Sequence, residues 1–107
     1  MSTHIISSVP NVVSEDGFKE ELSRGGQIEV VCEKAGEKQH ANWVGAWSVR
    51  IISPDGKNER TLVTHRKVME QRIFRTIYGL ISFLAECGIT RPCVPLLEGQ
   101  RALQEMQ

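Results

Sequence analysis

Five bases, Arg60, Arg66, Lys67, Arg72 and Arg75, fall within sixteen positions of this chain, and the only acid among them is Glu70. Side chains of this type neutralise phosphates, and each contact releases condensed counterions, so a local cluster binds nucleic acid even where the chain as a whole is neutral. Here the formal net charge is zero, so no global field assists, and the cluster must act by its concentration. His65 stands beside it in sequence and Arg50 lies on a neighbouring predicted strand. The candidate phosphate contacts are therefore Arg50, Arg60, His65, Arg66, Lys67, Arg72 and Arg75. The plainer reading of the same residues is a solvated flank of an amphipathic helix.

Catalysis finds less support. The chain has no G-x-S-x-G elbow, no Walker glycine loop, no G-x-G-x-x-G and no HExxH, and its two aspartates, Asp16 and Asp55, sit at a helix start and in a turn. Cys32, Cys87, Cys93, His40 and His65 show none of the close ligand pairs of a structural zinc site. The expectation is a non-enzymatic protein without metal or cofactor. Trp43 and Trp47, four positions apart in a predicted strand, share one face and are separated by about 13 Å, a possible stacking platform for bases. Val49 and Ile51 have the same parity, however, so that face is the more apolar one and core packing is the stronger reading. Phe83 is predicted on the polar side of a long helix with Arg72, Thr76 and Gly79. Together Gly79 and Phe83 read as a contact point for a partner or a second copy, or as a patch that the tail covers.

Positioning these residues falls to a small set of elements. Ser14 is a plausible N-cap with acids behind it, and Gly25 and Gly26 end a short helix over 15–24. Alternation predicts a strand over 27–33, with a polar loop over 34–39, and an apolar run predicts a second strand over 41–53. Ser53, Pro54, Asp55 and Gly56 form a turn, so a third strand over 58–65 returns antiparallel. Ile73, Ile77, Leu80, Leu84 and Cys87 then recur at helical spacing, and Gly88 stops the pattern, predicting a long helix over 69–87. Pro92 and Pro95 allow the tail an extended edge segment but no central strand.

The predicted fold is α+β: a three-stranded antiparallel meander packed on one long helix in the C-terminal half, with a short N-terminal helix, in the order α-β-β-β-α. Residues 1–13 read as a loose arm or edge strand, 14–99 as the domain with a short extended segment around Cys93 and Val94, and 100–107 as a tail with a final helical turn or two. In element order this is similar to double-stranded-RNA-binding domains, but their lysine-rich signature and histidine-containing loop have no counterpart here, so no residue's role follows. The segment 72–89 resembles, without a diagnostic motif, small accessory proteins of mobile genetic elements.

The remaining composition narrows the setting. A length of 107 residues suits one domain, and no apolar run reaches the roughly 20 residues that a bilayer needs. Three cysteines without CxxC spacing fit a reducing compartment, so a cytoplasmic protein with no membrane partner is expected. Acids dominate the other end of the domain, where Glu15, Asp16, Glu20, Glu21, Glu29, Glu33 and Glu37 face only Lys19, Arg24 and Lys34. Two readings follow from these poles: a nucleic-acid-binding module, regulatory or from a mobile element, or a protein-interaction or homodimerisation module.

Overall fold

A computed structural model of the chain describes residues 11–65 and 69–105. Its elements are β1 (Val12–Val13), α1 (Glu15–Ser23), β2 (Gln27–Gln39), β3 (Asn42–Ile52), β4 (Glu59–His65), β5 (Met69–Gln71), β6 (Phe74–Thr76), α2 (Ile77–Glu86) and β7 (Arg101–Leu103). Local chemistry accounts for several boundaries. The Ser14 side chain accepts a hydrogen bond from the Gly17 N–H at 3.3 Å, with Glu15 and Asp16 in the first turn of α1. Asp55 holds the β3–β4 turn by accepting from the Ser53 hydroxyl at 2.5 Å and the Lys57 N–H at 2.9 Å. At the end of α2, Gly88 takes φ 91°, and the Ile89 N–H reaches back to the Leu84 carbonyl at 3.0 Å.

The mixed α+β character stands, but the predicted architecture does not. Among the described residues the sheet has seven strands, with β1-β4-β3-β2-β7 in order, β5 attached to β4 and β6 attached to β3. The long helix over 69–87 is also absent: its first part is β5 and β6, and α2 starts only at Ile77. Backbone hydrogen bonding explains the difference. β4 pairs with β3 only through Glu59, Arg60 and Thr61, which leaves the N-terminal half of β3 without a partner on that side. β6 fills the gap, placing Thr76 opposite Val44 and Phe74 opposite Trp47. The Thr76 side chain then accepts from the Gly79 N–H at 3.0 Å and caps α2.

The loop expected over 34–39 is likewise a strand. β2 continues to Gln39 because two register shifts, between Cys32 and Lys34 and between Lys34 and Glu37, let it follow β3 while breaking the alternation that marks a strand in sequence. In the tail, the segment 96–104 runs along the outer edge of β2. Gly36 N–H donates to the Leu96 carbonyl at 2.9 Å, Gly99 N–H to Cys32 at 2.8 Å and Gln104 N–H to Ile28 at 2.9 Å. Residues 101–103 are therefore a strand, not a helical turn. Gln104, 1% exposed, fastens the tail on itself: its side chain accepts from the Cys93 N–H at 2.8 Å and donates to the Cys93 carbonyl at 2.7 Å.

One core fills the space between a sheet face and the two helices, with Ile28, Val30, Trp47, Val49, Ile51 and Leu62 from the sheet meeting Phe18 of α1 and Leu80, Phe83 and Leu84 of α2. Phe83 is 5% exposed, with its ring centroid 5.6 Å from Phe18 and 5.2 Å from Phe74. This corrects its placement on the polar back of a long helix. Ile73 is not helical, and without it the buried stripe reads Leu80, Phe83, Leu84 and Cys87. The tryptophans also separate: Trp47 is fully buried while Trp43 is 39% exposed. The Trp47 indole passes close over Gly45, where a Cβ would lie 2.9 Å from both the ring and the Lys34 carbonyl, so only glycine fits.

Candidate nucleic-acid interface

Beyond Thr61, β4 leaves β3 and pairs with β5, joining Val63 to Gln71, Thr64 to Glu70 and His65 to Met69. The Arg72 N–H adds one rung by donating to the Leu62 carbonyl at 3.0 Å. Because side chains alternate across a strand, Leu62, Thr64, Glu70 and Arg72 share one face of this two-stranded ribbon. Leu62 turns into the core, while Glu70 is exposed and Thr64 and Arg72 are half-buried. The Arg72 guanidinium lies 4.5 Å from the centroid of the buried Phe74 ring, a contact that favours the cation and restricts where it can point. Arg75, exposed on β6, shares with Thr64, Glu70, Gln71, Arg72 and Ile73 an open cleft of about 400 Å³.

The predicted contacts thus divide. Arg72 and Arg75 converge on that cleft, although they come from the segment after β5 and from β6, not from one helix face. Among the described residues neither they nor Arg60 has a carboxylate within ion-pair distance. Arg60 is exposed on β4, opposite Ile51. Arg50 is held elsewhere: it pairs with Glu59 at 2.9 Å in a network that Arg101 completes through Glu29 at 3.2 Å and Glu59 at 3.6 Å. With two acids for two bases, that patch offers no excess positive charge. Arg66, Lys67 and the His65 side chain lie outside the described residues.

The two interface candidates sit differently in the fold. Phe83 is core, and Gly79 sits in the capped first turn of α2, where a Cβ would press to 3.2 Å on the Thr76 hydroxyl. The large apolar side chains that α2 does expose are Tyr78 and Ile81. Glu70 and Gln71 reach this cleft because 69–71 is a strand and not part of a helix, and Thr64 reaches it because it pairs with Glu70. The signal that could have found them is the local Thr76 cap, which places the helix start after, and not before, the basic residues.

Burial pushes the Cys87 thiol up to about 11 and raises that of Cys32, so both stay protonated at neutral pH. All three cysteines are free thiols. Among the described residues no three His, Cys, Asp or Glu side chains are grouped to hold a metal ion, and no helix is long and apolar enough to cross a membrane. Comparison with protein-family models, with curated proteins and with solved structures finds no match to the chain.

Proposed function

We propose that the protein is a small non-enzymatic nucleic-acid-binding module of the cytoplasm that contacts its ligand at the base of the β4–β5 ribbon. The observation that carries this reading is the convergence of Arg72 and Arg75 on one open cleft, without an ion-pair partner for either among the described residues. In sequence the ribbon connection adds Arg66 and Lys67. Unpaired arginines in a concave site keep their full charge for an incoming phosphate, whereas those already paired, such as Arg50, would first have to break a protein contact.

The test is fluorescence anisotropy with random-sequence oligonucleotides between about 50 and 200 mM salt, a range over which several phosphate contacts cost orders of magnitude in affinity. Binding is expected to weaken linearly in log–log form. The variant Arg75→Ala is expected to reduce the slope by about 1, one phosphate contact, with an unchanged far-UV spectrum. Absence of binding at low salt, or an unaltered slope in the variant, refutes the proposal.

A protein-interaction or homodimerisation role is the second reading, and the observation favouring it is the outward side of α2. Tyr78 is 82% exposed and Ile81 38%, and the helix carries no charge before Glu86. If this face associates, Tyr78→Ser/Ile81→Ser will lower the mass measured by light scattering while leaving the fold intact. A wild-type protein that is monomeric at high micromolar concentration removes self-association.

A further inference from the structure

The nucleic-acid reading places a cluster of arginines on phosphates, but it leaves Glu70 unexplained. A carboxylate in the same cleft as Arg72 and Arg75 repels phosphate, and among the described residues Glu70 makes no ion pair that would neutralise it. Its position on the ribbon suggests a different job. Glu70 and Arg72 stand two residues apart on one face, with Thr64 directly opposite Glu70. Two residues of an extended strand span about 6.7 Å. Two base-pair steps of a duplex span about the same, at roughly 3.4 Å each. The chemistry of the three side chains matches the pattern of base edges: an arginine fork fits the O6 and N7 acceptors of guanine, a carboxylate accepts from the cytosine amino group, and a threonine hydroxyl suits either kind of edge.

Resting on that nucleic-acid reading, we infer that the Thr64–Glu70–Arg72 face of the ribbon enters the major groove of B-form duplex DNA at a G·C-containing site, with Arg72 on guanine and Glu70 on cytosine, while Arg75 holds a flanking phosphate. The groove, about 12 Å wide, admits a two-stranded ribbon. Past Leu62, the last residue of β4 that pairs with β1, β4 has only β5 beside it among the described residues. The stacking of Arg72 on Phe74 restricts the guanidinium before binding.

Alternative nucleic-acid ligands fit less well. A single strand is bound by stacking its bases on aromatic rings, but the cleft is lined by Thr64, Glu70, Gln71, Arg72, Ile73 and Arg75. Phe74 beneath it is 4% exposed, and the exposed Trp43 stands at the β2–β3 hairpin opposite Lys38. Duplex RNA has a deep, narrow major groove that side chains do not reach.

The experiment compares labelled probes of one G·C-rich sequence at a single salt concentration: a 20-base-pair DNA duplex, the RNA duplex, the DNA single strand, and the DNA duplex with 7-deazaguanine for guanine. The last probe removes the N7 acceptor from the major groove and leaves phosphates and minor groove intact. Duplex DNA is expected to bind about tenfold more tightly than the RNA duplex or the single strand. The 7-deazaguanine duplex is expected to lose several-fold in affinity, and Arg72→Ala to bind both DNA duplexes equally. Equal binding of all four probes by the wild type, or indifference to 7-deazaguanine, overturns the groove assignment and leaves phosphate binding in place. No binding to any probe overturns the nucleic-acid reading as well.

Discussion

Phe83→Ala is expected to lower the free energy of unfolding by about 3–5 kcal/mol, the usual cost of removing a buried phenyl ring. The ring bridges three elements, since it meets Phe18 of α1 at 5.6 Å and Phe74 of β6 at 5.2 Å from its own place on α2. A cavity there is walled by two other aromatic rings and by the sheet, which leaves few small side chains able to shift into it. Domains of this size are stable by about 5–15 kcal/mol, so the variant will be close to unfolded at 37 °C or will show a much reduced urea midpoint with an unchanged m-value. A loss below about 1 kcal/mol would mean that Phe83 is not in the core, and would restore it as a surface anchor.

Trp47→Ala is expected to cost about 4–6 kcal/mol, because the lost ring volume is joined by a lost buried hydrogen bond. The indole N–H donates to the Pro95 carbonyl at 2.7 Å, so this one side chain ties the central strand β3 to the tail. Trp47→Phe separates the two contributions: it keeps most of the apolar contact, leaves the Pro95 carbonyl unsatisfied, and should cost about 1–3 kcal/mol. Fluorescence checks the assignment independently. Trp47→Phe leaves only Trp43, whose emission should be red-shifted and quenched by iodide, while Trp43→Phe leaves a blue-shifted, protected Trp47. Similar quenching of both single-tryptophan proteins contradicts the burial of Trp47 at 0% and Trp43 at 39%.

The basic segment shows how far the amino-acid order carries the functional reading. By spacing Arg72 and Arg75 are charges near a helix start, and they do share a cleft, but the elements holding them are not the helix that the spacing predicts. Ile73, Ile77, Leu80 and Leu84 fit a helical stripe, and nothing local distinguishes that pattern from a strand followed by a capped helix. Leu80, Leu84 and Cys87 are buried as that stripe implies, but Phe83, which a helix over 69–87 turns outward, is buried as well. The meaning of Glu70 changes with the backbone: in a helix it is one solvated acid among bases, whereas in a two-stranded ribbon it stands opposite Thr64 and two residues from Arg72.

What the order of residues determined by itself is the set of features whose causes are local. Ser14 caps α1, Asp55 holds the β3–β4 turn and Gly88 closes α2, because each acts on backbone groups within a few residues. The alternation of Ile28, Val30 and Cys32 likewise identifies β2 as a strand with one buried face. Only the tertiary structure decided how far β2 extends, that β6 and not a longer helix precedes α2, that the tail lines the β2 edge, and that Phe83 faces inward. In each case the deciding contact joins residues distant in sequence: an unpaired stretch of β3 takes the nearest free strand, an open β2 edge takes the tail, and the turn of α2 that faces two phenyl rings is buried. Backbone groups must find partners wherever the fold leaves them without water, and that requirement has no signature within a local window of sequence.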